Sequence, residues 1–140
     1  MIVVDASVAV KWVLTEPGSR RAMALFRSGE VMAAPDLLRI EGAGAITRAF
    51  RAGRLPAEEV PARLELWLDA FAGVVNLVGS EPHLRRAAAL SCELRHPLPD
   101  CLYLALAEHL DVQLLTADAV FAGRAAAMHS RIQIFPSADG

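Results

Sequence analysis

The sequence predicts an α/β domain in three layers, a mainly parallel five-stranded sheet covered by helices on both faces. Short apolar runs such as Ile2-Val3-Val4 and Gln113-Leu114-Leu115-Thr116 alternate with longer segments whose apolar residues recur at helical spacing. Breakers separate the two kinds of segment, among them Pro17-Gly18, Gly29, Gly53, Gly73 and the run His96-Pro97-Leu98-Pro99.

The first strand runs from Ile2 to Asp5 and is buried on both faces. Ser7 caps a helix to about Leu14, and a second short helix covers Ser19 to Arg27. Gly29 turns the chain into a second strand, Val31-Met32-Ala33-Ala34, and Pro35-Asp36 caps a helix from Leu37 to about Ala52 that Gly53 closes. Pro56 opens its partner, in which Leu64, Trp67, Leu68 and Phe71 share a face, so the pair forms a hairpin with Trp67 and Phe71 between its arms. Val74 to Val78 is the third strand. Ser80 caps a helix through Leu90 and Leu94, another helix runs from about Pro99 to Leu110, and Gln113 to Thr116 is the fourth strand. A loop or short helix reaches Arg124, and Ile132 to Phe135 is the fifth strand before a polar tail. The length, 140 residues, fits one domain over 1–140 with one core.

Charge narrows the function. Lys+Arg 14 against Asp+Glu 16 gives −2, which excludes a protein that coats DNA through bulk basicity. Nucleic-acid contact must be local, with Arg20-Arg21, Arg48-Arg51-Arg54 and Arg85-Arg86 as candidates and solvated helix faces as the ordinary reading. A hydrophobic share of 54% fits either surface covered by a second chain or simply an alanine-rich helical composition. No leader or bilayer-length apolar run is visible, so a cytoplasmic protein without membrane contact is expected. Cys92 and Cys101 lack zinc-finger spacing and read as core thiols, the four histidines read as surface or loop residues, and Lys11 reads as a solvated side chain or one that reaches the sheet rim.

In a parallel sheet, ligands bind outside the carboxyl ends of the strands. Asp5 ends strand one and Asp118 follows strand four on the same rim. Glu41 sits in the second turn of the helix leaving strand two, with its side chain tilted back toward that rim. The helix carrying Asp100 leads into strand four, so it begins at the same edge, and Asp100 shares its inward face with Tyr103, Leu104 and Ala107. Each has a bland reading as a helix cap or loop residue, strongest for Asp118. Together they converge. Carboxylates at such range cannot all stay ionised without a cation, and an all-oxygen set with no neighbouring His or Cys favours Mg²⁺, or Mn²⁺ in its place, over zinc. Such a site suits phosphodiester hydrolysis, with one or two metals.

Asp5-Ala6-Ser7, Pro35-Asp36-Leu37-Leu38-Arg39-Ile40-Glu41, Pro99-Asp100-Cys101-Leu102-Tyr103-Leu104-Ala105-Leu106-Ala107 and Leu115-Thr116-Ala117-Asp118 together resemble a PIN-domain ribonuclease, more narrowly the VapC-like toxins of toxin–antitoxin modules. The resemblance spans essentially the whole chain and implies a PIN-like fold, Mg²⁺- or Mn²⁺-dependent cleavage of RNA, inhibition by a cognate antitoxin protein, and a homodimer. It places Asp5, Glu41, Asp100 and Asp118 at the family's metal-binding positions, with Ser7 and Thr116 as supporting hydroxyls. One departure stands out: Gly44 occupies a position where the family often has asparagine. Two rivals remain. A phosphoryl-transfer hydrolase with Asp5 as nucleophile would commonly carry an aspartate where this chain has Ser7. A non-catalytic module would use the acidic pocket and apolar helices to hold an arginine-bearing partner peptide.

Overall fold

The computed structural model describes residues 1–136, so the polar tail expected beyond them lies outside the described residues. Its strands are β1 (Ile2–Val4), β2 (Met32–Pro35), β3 (Val75–Val78), β4 (Gln113–Thr116) and β5 (Ile132–Ile134). They form one sheet in the order β3-β2-β1-β4-β5, parallel at every pairing. Helices α1 (Ala6–Ala9), α2 (Ser19–Arg27), α3 (Leu37–Arg51), α4 (Val60–Asp69), α5 (Leu84–Leu94), α6 (Leu98–Leu110) and α7 (Ala119–Ala126) supply the crossovers. The chain moves one way from β1 to β3 and the other way from β4 to β5. Right-handed crossovers therefore send α1 to α4 to one face and α5 to α7 to the other. This is the three-layer PIN-like architecture the sequence predicts, and β1 and β4 flank its switch point.

The core explains why these segments became these elements. Val3, Val4, Met32 and Leu114 are fully buried in the central strands, and α6 buries seven successive residues from Cys101 to Ala107 between the sheet and α5. On the opposite face Trp67 of α4 is completely buried against α3, donating from Nε1 to the Arg39 carbonyl at 3.0 Å and meeting Phe71 edge-on at 4.9 Å. The hairpin packing read from the sequence is thus present, although Phe71 lies just beyond the end of α4.

Several boundaries differ for identifiable reasons. The helix expected from Ser7 to Leu14 is only α1 followed by a 3₁₀ turn at Val10–Trp12, and its cap is Asp5. Asp5 holds extended backbone and accepts from the Ala6 N–H, so the cap falls two residues before Ser7. Ser80 is no side-chain cap either: its hydroxyl donates to Asp36 Oδ1 and ties the exit of β3 to the start of α3. Lys11 is buried and paired with Glu16 at 3.1 Å, so it is not the solvated side chain expected. Cys101 is buried as expected, but Cys92 is exposed. No helix among the described residues is long and apolar enough to cross a membrane.

Candidate metal centre

Each of the four acidic residues is placed by the end of an element. Asp5 follows β1 directly, is 3% exposed, and its N–H donates to the Leu115 carbonyl of β4. Its Oδ1 accepts from the Ala6 N–H at 2.8 Å, and its Oδ2 accepts from the Ser7 and Thr116 hydroxyls, both at 2.7 Å. Those hydroxyls also accept from the backbone of the β4–α7 turn, Ser7 from the Ala117 N–H and Thr116 from the Asp118 N–H. The two rim turns are thereby stitched together. Asp118 caps α7, its Oδ1 accepting from the Val120 and Phe121 N–H groups at 3.0 Å each.

Glu41 lies in the second turn of α3 and accepts from the Tyr103 hydroxyl at 2.6 Å. Asp100 is in the first turn of α6, where the helix dipole favours an anion, and its Oδ2 lies 2.5 Å from His96 Nε2. All four carboxylates and Ser7 line one cleft of about 450 Å³, together with Gly44, Ala45 and Arg48. Thr116 is fully buried and reaches the site through Asp5 and Ser7.

Two of the four carboxyls, Asp5 and Glu41, are pushed up. Burial pushes the Asp5 carboxyl up to about 6 despite the hydrogen bonds from Thr116, Ser7 and Ala6, and repulsion from Asp100 adds to the rise. Burial also raises Glu41, opposed first by the Tyr103 hydrogen bond and increased by Asp5 and Asp100. The Tyr103 phenol is pushed well above its ordinary range, by burial first and by Glu41 next, so it stays a donor. Arg48 is the one cation among the described residues lining the cleft.

This donor set fits a hard divalent cation. An ionised carboxylate offers about four lone-pair sites. Among the described residues, Glu41, Asp100 and Asp118 each have one oxygen fastened by the protein and retain capacity on the other, Oε2, Oδ1 and Oδ2 respectively, while Asp5 is held through both oxygens and keeps part of the capacity of Oδ1, which accepts one bond. One donor atom each of His96, Asp100 and Asp118 lie within 4.8 Å of one another. Asp5 and Glu41 line the same cleft but are not part of that tight triplet. The expectation of no neighbouring histidine is therefore wrong: His96 is a loop residue, yet it is buried against Asp100.

Comparison with known proteins identifies the family. The PIN domain profile matches residues 2–127, a stretch that contains all four acidic positions. The chain belongs to the PIN domain family. Among curated relatives it is similar to Ribonuclease VapC12 of Mycobacterium tuberculosis, 35% identical over 129 residues and 92% of each chain. Ribonuclease VapC1 of the same organism is 32% identical over 118 residues, covering 83% of this chain and 84% of that one. A solved toxin–antitoxin complex from Klebsiella pneumoniae shares the fold at a TM-score of 0.54 and 17% identity, covering 88% of this chain and 92% of that chain.

Within this PIN domain, Tyr103 and His96 hold carboxylates, a role that the sequence alone did not assign to them. Tyr103 had a signal, since a tyrosine three residues after Asp100 on an inward face needs an acceptor for its buried hydroxyl. Tyr103→Phe removes the donor from Glu41 and is expected to weaken Mn²⁺ binding about tenfold, read by calorimetry on metal-free protein. Gly44, the departure from the family pattern, has nothing within 4 Å of where a Cβ would stand. Gly44→Ala is expected to raise unfolding stability in urea by about 1 kcal/mol through helix propensity alone, with Mn²⁺ affinity unchanged.

Proposed function

We propose that this PIN domain is an Mg²⁺-dependent endoribonuclease, with Mn²⁺ able to substitute, that acts as the toxin of a toxin–antitoxin module. One observation carries the reading: four carboxylates from four separate segments line one cleft at the switch point of the sheet, each held by hydrogen bonds from the protein, Asp5 through both oxygens and the other three through one. The names of the VapC12 and VapC1 relatives support RNA as substrate, and the Klebsiella pneumoniae toxin–antitoxin complex is consistent in fold. A cytoplasmic homodimer held inactive by a small antitoxin completes the proposal.

The geometry supports a role for each residue. Asp5, Glu41, Asp100 and Asp118 would hold the cation. Bound there, a divalent ion supplies Lewis-acid activation of water and offsets negative charge on the phosphate during hydrolysis. Ser7 and Thr116 keep Asp5 in place by donating to Oδ2, while Tyr103 keeps Glu41 turned into the cleft. Arg48, one face of α3 along from Glu41 and Gly44, sits where it can meet the RNA backbone as a phosphate partner. The acidic cleft would otherwise repel that polyanion.

Purified chain stripped with EDTA should leave single-stranded RNA intact, and Mg²⁺ or Mn²⁺ should restore cleavage in the wild type but not in Asp100→Ala. Equal cleavage by Asp100→Ala, or cleavage undiminished in EDTA, would contradict the reading. Growth arrest on expression, relieved by the small protein encoded in the neighbouring reading frame, tests the toxin role.

A further inference from the structure

His96 stands just before α6, four residues ahead of Asp100, and is 6% exposed. A buried imidazole needs a partner at each ring nitrogen, and both are present. Nε2 lies 2.5 Å from Asp100 Oδ2, and Nδ1 lies 3.0 Å from Arg124 Nη1. A guanidinium has only protons to offer, so Nδ1 must accept. The proton of the neutral ring then sits on Nε2 and is donated to the carboxylate. Arg124 fixes the tautomer.

The ring is held from every side. It stacks on Phe121 of α7 at 4.7 Å and 13°. Its backbone N–H donates to the Ser91 carbonyl at 3.1 Å, and its carbonyl accepts from the Ser91 hydroxyl at 2.5 Å. Arg124 also donates from Nη1 to the Arg95 carbonyl at 3.0 Å, where Arg95 closes α5 in the left-handed conformation, φ 52°. A continuous polar chain thus runs from the end of α5 through α7 to the first turn of α6.

We propose that His96 is a positioning residue of the candidate metal centre: its Nε2–H holds Asp100 through Oδ2 and leaves Oδ1 toward the cation, and His96 itself is not a ligand. The proposal rests on the reading of the cleft as a divalent-cation site. A ligating nitrogen needs a free lone pair, but Nε2 carries the proton and the lone pair of Nδ1 is engaged by Arg124. His96 therefore does for Asp100 what Ser7 and Thr116 do for Asp5, what Tyr103 does for Glu41, and what two backbone N–H groups do for Asp118. Each carboxylate reaches the centre with at least one oxygen already tied down.

Mn²⁺ binding to the EDTA-stripped full chain tests this by calorimetry, with electron spin-echo spectroscopy of the bound ion to detect nitrogen ligands. His96→Leu should weaken Mn²⁺ binding about 10- to 100-fold, the usual effect of losing a partner of a ligand. His96→Gln, whose amide can donate from nearly the Nε2 position, should recover most of the loss. Arg124→Met, made on an exposed side chain, should weaken binding by a smaller factor because the ring can then turn a lone pair toward Oδ2. Wild-type protein should show no directly bound nitrogen.

If His96→Leu does not fold, Arg124→Met decides: a loss of affinity supports the proposal and unchanged affinity overturns it. Wild-type Mn²⁺ affinity in a folded His96→Leu variant overturns the positioning role alone, as does a nitrogen signal in the wild type that vanishes in His96→Gln. Absence of any Mn²⁺ binding by the wild type would remove the metal site and the role of His96 with it.

Discussion

Replacing Asp5 by asparagine is expected to lower divalent-cation-dependent RNA cleavage by about 10³-fold or more, the several kcal/mol that metal-ion catalysis contributes. The same change should reverse its effect on stability with pH. The Asp5 carboxyl rises from an ordinary 3.8 to about 6 in the folded chain, chiefly through burial. The folded state thus binds a proton more tightly than the unfolded one. Stability from the protonated form is complete below about pH 4 and is lost as pH rises through about 6. Above that point the buried anion costs the metal-free protein about 3 kcal/mol relative to its acid form.

Asparagine removes that titration but also disturbs the hydrogen bonds. Whichever way its amide turns, an N–H group meets either the Ala6 N–H or the two hydroxyls that now donate to Oδ2. That mismatch costs about 1–2 kcal/mol at any pH. Asp5→Asn should therefore unfold more easily than wild type near pH 4 and less easily near pH 7.5, with the curves crossing between. Parallel curves of unfolding midpoint against pH would contradict the burial-driven rise of Asp5. Added Mn²⁺ should stabilise the wild type at pH 7.5 and leave Asp5→Asn nearly unmoved.

The second large effect concerns the scaffold. Gly42, directly after Glu41, faces α4, and a Cβ built there would stand 1.9 Å from Trp67 Cζ2 and 2.0 Å from Cε2. The indole has nowhere to go. It is completely buried, anchored through Nε1 to the Arg39 carbonyl and braced edge-on by Phe71. Overpacking ordinarily costs about 1–3 kcal/mol, but here the substituent must either expel a tryptophan or push α3 and α4 away from each other, so Gly42→Ala should cost about 3–5 kcal/mol. Against a typical total of about 5–15 kcal/mol, that loss leaves a domain at the lower end of the range with little or no net stability. Urea denaturation measures the loss, and a smaller loss in a Trp67→Phe background would trace it to this contact. Gly44→Ala, two residues on in the same helix, serves as the opposite case.

Those two glycines mark the limit of what could be read from the chain. Both are helix-interior glycines in the sequence; only the position of Trp67 from a different helix separates the one that cannot change from the one that can. The parallel sheet and the shared rim of Asp5, Glu41, Asp100 and Asp118 were legible because they follow from apolar run length, element alternation and the rule that α6 must begin at the carboxyl edge to feed β4, whereas the order of the strands was not. Partners of polar side chains were not legible either. Asp5 rather than Ser7 caps α1, since the Ser7 hydroxyl is taken up by Asp5 Oδ2 and by the Ala117 N–H of a distant turn. Lys11 is buried because Glu16, past the break in the first helix, returns to meet it. His96 looked like one loop histidine among four until the end of α5 and the face of α7 closed around it.

The most direct measurement is a calorimetric titration of Mn²⁺ into metal-free protein at pH 7.5, wild type beside Asp5→Asn, Glu41→Gln, Asp100→Asn and Asp118→Asn. If the four carboxylates form one cation site, the wild type binds saturably and every variant binds more weakly. A wild type that takes up no Mn²⁺, or four folded variants that bind it as the wild type does, would contradict the site.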